Sequence, residues 1–182
     1  MAMMVQSVGA MPDIPADNEL WKVTLFAKWF CDYFFISIEE HHEAEEKIYF
    51  PWLKTKTVYP EEKFNKDHEE LVADMTVMKK ACEAISQKKG KDCSEEIALL
   101  KSMSPTFETD MRAHLKEEEE SLPGLIRDNT TQEEEGVIVD KIIQGGGLAM
   151  AKKFLPAIIL AMQDWATPEY YEVFCGKIPP RE

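Results

Sequence analysis

The sequence lacks the features that mark membrane-spanning, secreted or disulfide-bonded proteins. Its longest apolar stretch, 154–162, is much shorter than the roughly 18 residues that a membrane-spanning helix requires. The N-terminus has neither the basic nor the apolar region of a signal peptide. The four cysteines are scattered without C-x-x-C spacing, which predicts reduced thiols in a cytoplasmic protein.

Positive charge is also scarce. There are 21 lysines and arginines against 34 aspartates and glutamates, which gives a net charge of −13. A surface of this sign repels nucleic acid and anionic membranes, and it suits a protein that handles cations. With 182 residues, 45% of them hydrophobic, the chain is long enough for one domain with a sizeable core.

Strand patterns are nearly absent, whereas apolar residues recur at helical spacing along most of the chain. We therefore predict an all-α fold, an up-down helical bundle with extra C-terminal helices. The predicted bundle helices span about 17–53, 60–89 and from 94 onward, with a kink or break at Pro105. Their apolar stripes are Val23, Phe26, Phe30, Phe34, Ile38, His41, Glu45, Ile48 and Trp52 in the first, Phe64, His68, Leu71, Met75, Met78, Cys82 and Ile85 in the second, and Ile97, Leu100, Phe107, Met111, His114 and Glu118 in the third.

The composition divides the chain into three parts. Residues 1–16, which contain two prolines, are predicted to form a disordered leader. Residues 17–128 form the predicted bundle, and 129–182 a helical extension that packs on the same bundle.

Local patterns predict the layout of that extension. Thr131 and Glu134 have capping-box spacing, which predicts the start of a helix. The glycines at 145–147 predict its end, and a further helix is expected to follow with a bend at Pro156. The proline-containing tail is predicted to be extended.

Only four histidines are present, and three of them lie on the apolar stripes together with two glutamates. His41 and Glu45 are four residues apart, and so are His114 and Glu118, so that each pair shares one helix face. His68 stands alone on the second helix. A single histidine on such a stripe is usually a hydrogen-bonded core residue. A buried unpaired carboxylate, however, costs on the order of several kcal/mol, and a cation removes that cost. These five side chains are therefore the candidate metal ligands.

Helix geometry predicts that the candidate ligands meet. The second and third helices are antiparallel, and His68 and His114 each lie roughly 20 residues from the turn between them, which places them at one level. Glu45 shares that level and His41 lies one turn away. Imidazole and carboxylate ligands suit iron, manganese or zinc, and two carboxylates could bridge a pair of ions.

The residues around the candidate ligands resemble a known family. The run HHEAEE at 41–46, followed by FPWL at 50–53, resembles the H-H-x-x-E-E…F-P-x-L signature of hemerythrin-like (HHE cation-binding) domains. HLKEEE at 114–119 resembles the second such motif, and DHEEL at 67–71 resembles the H-x-x-L between them. The resemblance covers about residues 20–127.

This resemblance implies a four-helix bundle with an oxo- or hydroxo-bridged di-iron centre that binds dioxygen or related ligands. Family members serve in oxygen binding, iron or oxygen sensing, and responses to nitric oxide or peroxide. By the same resemblance, His41, His68 and His114 are terminal ligands, and Glu45 and Glu118 are bridging carboxylates.

The resemblance leaves the register of the first motif open and is incomplete. An alignment on the prolines instead pairs His42 with His114 and Glu46 with Glu118. We prefer the register given above, because His41 lies on the apolar stripe of the first helix. The family's opening helix, which brings another histidine, has no counterpart, and Phe64 stands where a further histidine often occurs. A C-terminal carboxylate such as Asp164 could occupy the vacant place.

Three functions are therefore considered. The first is a di-iron module, or one for another divalent metal, that binds or senses dioxygen, nitric oxide or iron. The second, less favoured, is a ferritin-like oxidase, whose sites use Glu-x-x-His on two helices; the chain has one match, Glu39–His42. The third is a structural or interaction bundle with a vestigial site. The expected partners are a metal ion and a small diatomic ligand, and the aromatic first helix indicates a buried helix or a homo-oligomer face.

Overall fold

The structure, a computed structural model, describes the backbone of residues 2–176. The side chains are described except at positions 2, 146–153, 157, 161, 164 and 165. The described residues form helices and no strands, which confirms the all-α prediction. None of these helices has the length and apolar character needed to cross a membrane.

Eight α-helices follow one another along the described residues. They are α1 (Ala2–Gly9), α2 (Leu20–Trp29), α3 (Ile36–Ala44), α4 (Phe50–Lys54), α5 (Glu61–Gln87), α6 (Ser94–Asn129), α7 (Gln132–Trp165) and α8 (Pro168–Gly176). Two π-helical segments, Phe30–Phe35 and Glu45–Tyr49, join α2, α3 and α4 into one continuous helix, which we call the composite helix.

The start and end of α5 follow from local chemistry. Pro60 immediately precedes the helix, and two glutamates lie in the first turn, where the positive end of the helix dipole stabilises them. At the other end Gly90 has a φ of 77°, and its N–H donates to the carbonyl of Ile85 at 2.9 Å. A side chain at position 90 would meet the carbonyl oxygen of Leu20 at 3.0 Å, so that this turn requires glycine.

The chain divides into two compact units, Met1–Val139 and Asp140–Glu182. In the first unit, buried apolar side chains form two clusters. The large core includes Val23, Phe26, Phe30, Phe35, Leu71, Met75, Met78, Ile85, Ile97, Leu100, Phe107 and Met111. The small core consists of Phe50, Leu53, Tyr59, Phe64 and Leu122. On the composite helix, α5 and α6 alike, the candidate ligands lie in sequence between a large-core and a small-core residue.

The N-terminal residues differ from the predicted disordered leader, because α1 forms there. Met4, Val8 and Met11 are buried in the large core, and α1 packs against α6. The spacing of these three side chains by four and three residues is a helical pattern. The prolines at 12 and 15 follow the helix and do not exclude it.

The predicted capping box at the start of α7 is confirmed. Glu134 donates its N–H to Thr131 Oγ1 at 3.2 Å, and Thr131 donates its N–H to Glu134 Oε2 at 3.1 Å. Tyr49 donates its hydroxyl to Glu135 at 2.8 Å, which ties this end of α7 to the composite helix. The packing of the whole extension, 129–182, on the bundle stays a prediction.

Helix-breaking residues interrupt the chain less than predicted. Helix α6 runs unbroken through Pro105, since Leu100 and Phe107 on either side are fully buried in the large core. Helix α7 likewise continues through the glycines at 145–147 and through Pro156. Each glycine lowers helix stability by about 1 kcal/mol but does not forbid the helix.

The second unit contains the C-terminal part of α7 and all of α8. Met162 is its buried apolar residue among the described side chains. Within the tail predicted as extended, Pro168–Gly176 form α8 instead, with Thr167 Oγ1 accepting the N–H of Tyr170 at 3.2 Å as a helix cap, and the rest of that tail, 177–182, lies outside the described residues.

Candidate metal centre

The composite helix presents a different histidine to the interior from the one that its sequence pattern predicts. His42 is buried, with 3% of its surface exposed, whereas the side chain of His41 is 49% exposed. A π-helical turn holds more residues than an α-helical turn and shifts the inward face by about one position. The buried positions therefore move from Phe30 to Phe35 across the first π-segment, and His42 lies two turns further on.

Three histidines from three helices form the first group of candidate ligands. His42, His68 and His114 are all buried, and each offers a ring nitrogen within 4.8 Å of the others. The Nε2 atoms of His68 and His114 are 3.1 Å apart. The rings of His42 and His68 stack with their centroids 3.9 Å apart.

A second group lies beside the first and contains His41, Glu45 and Glu118, again with ligand atoms within 4.8 Å. The two oxygens of Glu45 face different groups: Oε1 is 3.4 Å from His41 Nε2, and Oε2 is 3.6 Å from His68 Nε2. Glu118 Oε1 lies 3.4 Å from His114 Nε2 and 3.8 Å from His68 Nε2. The two carboxylates of the second group therefore lie next to the histidines of the first.

Several buried polar atoms at this centre form no hydrogen bond with the described protein atoms. They are both ring nitrogens of His42, Nδ1 of His114, Oε2 of Glu45 and Oε1 of Glu118. An unsatisfied buried polar atom costs about 1–3 kcal/mol, and folded proteins contain few of them. Their concentration in one small volume fits a cation, which interacts with lone pairs of nitrogen and oxygen alike.

The electrostatics of the centre also favour a cation. Burial, together with the nearby Glu118 carboxylate, raises the pKa of Glu45 to about 8. Burial and the neighbouring imidazoles lower the pKa of His42 to about 3, so that its ring is neutral at pH 7 and can bind a metal. Burial lowers the pKa of His68, but the carboxylates of Glu118 and Glu46 outweigh it and raise that pKa overall. A dication would relieve the repulsion between the two buried carboxylates.

Two further carboxylates face the outer nitrogens of the buried histidines. Glu46 Oε1 is 3.0 Å from His68 Nδ1, within hydrogen-bond distance. Asp67 Oδ2 is 3.8 Å from His114 Nδ1 and pairs with Lys63 at 2.8 Å. A carboxylate within hydrogen-bond distance, as Glu46 is, orients histidine ligands in known metal sites, whereas Asp67 is too far from His114 Nδ1 to hydrogen-bond with it.

The structure brings all five predicted candidate ligands together, in the two groups described above. Sequence reasoning gave His42 only as the alternative register, although it is one of the most buried polar residues. Phe64 lies in the small core, with its ring 6.2 Å from that of His114, and forms an apolar wall. The side chain of Asp164 lies outside the described residues.

Comparison with known proteins identifies the family of the chain. Residues 10–126 match the family model described as hemerythrin HHE cation binding domain. No curated protein and no solved structure matches the chain significantly. Because the family model covers well over half of the chain, including every candidate ligand, the chain belongs to the hemerythrin HHE cation-binding family and is an all-α, metal-binding protein.

Proposed function

We propose that this protein binds a pair of iron ions at the candidate centre and uses them to bind or sense dioxygen, nitric oxide or iron itself. The observation that carries the proposal is the position of Glu45, which directs one oxygen toward each of two neighbouring ligand groups. A carboxylate placed in this way suits a site for two ions.

In this proposal each ligand group holds one ion. The first group supplies three imidazole nitrogens, from His42, His68 and His114. The second supplies one imidazole and two carboxylates, from His41, Glu45 and Glu118. Such a mixed nitrogen and oxygen ligand set suits iron, and it contains no thiolate that would favour a structural zinc site.

The surroundings of the centre support a role in binding small ligands. A pair of iron ions, when bound, supplies coordination positions for a diatomic molecule or a small anion. Glu46 holds His68 by its outer nitrogen, so that the inner nitrogen stays directed at the centre. The aromatic rings of Phe50 and Phe64 lie next to His68 and His114 and limit access of water to them.

Metal analysis of the protein purified without chelator tests the proposal. We expect about two iron ions per chain and an absorption band that shifts when azide or oxygen is added. The substitution Glu118→Gln should lower the iron content and weaken the band, because it removes a charge next to the histidines of the first group. Its matched control is Glu119→Gln, an exposed neighbour on the same helix, which should retain both.

Other outcomes would overturn the proposal. Protein that contains no metal, takes up none when iron is supplied and melts at the same temperature after chelation would indicate a structural bundle with a vestigial site. Catalytic turnover of ferrous iron with oxygen would indicate an oxidase instead.

A further inference from the structure

A cavity of about 180 Å³ lies between α5 and α6 on the outer side of His114. Its lining carries four carboxylates and one ammonium group, a formal charge of −3, and its buried members are Leu71 and His114. The charged residues are Asp67, Glu70, Asp74, Asp110 and Lys63. This cavity is distinct from the space between the two ligand groups, because His114 faces that space with its other nitrogen, Nε2.

His114 links the cavity to the centre. Its side chain is 2% exposed, and its Nδ1 atom forms no hydrogen bond with the described protein atoms. That atom lies 3.8 Å from Asp67 Oδ2, within the cavity lining, while Nε2 lies 3.1 Å from His68 Nε2. One buried imidazole therefore has an unpartnered nitrogen toward the acidic cavity and its second nitrogen in the centre.

We infer that this cavity is a loading site, in which a divalent cation is first held before it reaches the centre. The inference rests on the proposed function and adds the route by which the ions arrive. A cleft lined by carboxylates raises the local concentration of cations and accelerates their association. Before Nε2 of His114 binds a metal, the ring can carry its proton on Nε2, and the unpartnered Nδ1 at the buried end then offers the arriving ion its first nitrogen ligand.

The carboxylates of the cavity suit transient rather than permanent binding. Among the described residues, the groups whose ligand atoms converge closely enough to hold a metal are the two groups of the centre, and the acids of the cavity form no third one. A cation in the cavity is therefore held mainly by long-range attraction, and it can move on to the tighter site. Lys63, which pairs with Asp67 and Glu117, opposes this attraction at the exposed rim.

A larger cavity, of about 450 Å³, lies on the other side of the centre next to Glu46, but its chemistry is less suitable. Lys54 lies in its lining and pairs with Glu61 at 2.6 Å. Its innermost carboxylate, Glu46, already contacts His68 Nδ1 at 3.0 Å. No unpartnered buried nitrogen among the described residues lines this larger cavity. It therefore serves as the control for the acidic cavity.

Stopped-flow loading of the metal-free protein with Co²⁺ tests the inference, since the visible absorption of bound Co²⁺ reports binding without oxygen chemistry. The double variant Asp74→Asn/Asp110→Asn should load about tenfold more slowly at low salt, and this difference should shrink at high salt because salt screens the attraction. The final amount of bound Co²⁺ and its spectrum should equal those of the wild type, because neither substituted residue belongs to the centre.

The matched control is Glu61→Gln/Glu69→Gln, which removes the same charge from the larger cavity and should load at the wild-type rate. The variant Lys63→Gln makes the acidic cavity more negative and should load faster than the wild type. Damage to the fold would not be expected to accelerate loading, so a faster rate in this variant indicates an effect on the route of the ion.

Equal loading rates for the wild type and the Asp74→Asn/Asp110→Asn variant, at equal final Co²⁺, would overturn the loading site and leave the proposed function intact. Slow loading of the Glu61→Gln/Glu69→Gln control alone would overturn it in favour of the larger cavity. If the wild type bound no Co²⁺ and no iron at all, the proposed function would fail, and the loading site with it.

Discussion

The candidate metal centre and most of the large core lie on the same three helices, but their buried side chains differ in kind. In the large core, buried side chains such as Phe30, Met75 and Phe107 are apolar and need no partner beyond each other. In the centre, side chains that are also buried, such as His42 and Glu118, have polar atoms that form no hydrogen bond with the described protein atoms. One helix therefore carries both a region whose buried side chains satisfy each other and a region whose buried polar atoms are left for a ligand to satisfy, as the proposed function expects.

The first prediction concerns the large core, where the largest effect on stability is expected. Phe107→Ala should lower the free energy of unfolding by about 3–5 kcal/mol, because it removes a fully buried ring and leaves a cavity. Urea denaturation should give the same loss in the metal-free and metal-loaded protein. Leu99→Ala, at a 39% exposed position of the same helix, should change stability by no more than about 0.5 kcal/mol. A loss at Phe107 that disappeared on metal loading would contradict the independence of the two regions.

The contrast between the regions also explains what the sequence could predict. In α5 and α6 every residue of the predicted stripe is buried, including His68, His114 and Glu118. An uninterrupted α-helix keeps its 3.6-residue period, so that the inward face can be followed over many turns. The spacing of apolar residues does not predict the hydrogen-bond partners of the polar residues, because tertiary structure determines those partners.

The composite helix could not be predicted in the same way. Its stripe is correct at Val23, Phe26 and Phe30, but two π-helical segments then shift the inward face, and His42 and Phe50 take the buried positions. Nothing in the apolar spacing marks a π-helical turn, whereas the prolines of the two HHE-like motifs gave the alternative register that contains His42.

The second prediction concerns the pH dependence of the metal-free protein above pH 6.5. The pKa of Glu45, about 8, lies above its ordinary value of 4.5, so that the folded protein holds a proton that the unfolded chain has lost. The raised pKa of His68 acts in the same direction. Stability should therefore fall as the pH rises from about 6.5 to about 8, by about 2 kcal/mol for one proton.

Below pH 6.5 the histidines with lowered pKa values act in the opposite direction. The folded protein keeps His42 and His114 neutral where the unfolded chain binds protons, so that stability falls as the pH decreases. Down to about pH 4.5 the raised pKa of Glu45 acts against these histidines, so that the loss of stability toward low pH should be shallower there than below pH 4.5.

Urea denaturation across this range, with Glu45→Gln as the test variant, checks the origin of the slope. Between pH 6.5 and 8 the free energy of unfolding should fall much less in the variant than in the wild type. At pH 8 without metal the variant should be the more stable of the two, although it binds metal more weakly. Glu40→Gln, at an exposed position of the composite helix, should keep the wild-type slope. An unchanged slope in Glu45→Gln would show that other groups cause it.

The third and smallest expected effect concerns the border of the centre, where Glu46 contacts the outer nitrogen of His68. Glu46→Ala removes both the hydrogen-bond acceptor and its charge, and should weaken metal binding about tenfold; Glu46→Gln keeps an acceptor and should weaken it about threefold. Competition with a chelator of known affinity measures both. Glu43→Gln, an exposed residue of the same helix that pairs with Lys47, should bind metal as the wild type does.

The two Glu46 variants also distinguish orientation from electrostatics. If the carboxylate acts only by orienting the imidazole, Glu46→Gln should bind metal nearly as well as the wild type. If its charge makes His68 a stronger ligand, both variants should weaken binding, and the deficit of Glu46→Gln should shrink as salt is added. Wild-type affinity in both variants would mean that packing against Phe50 and His42 holds His68 in place, as apolar contacts do in the large core.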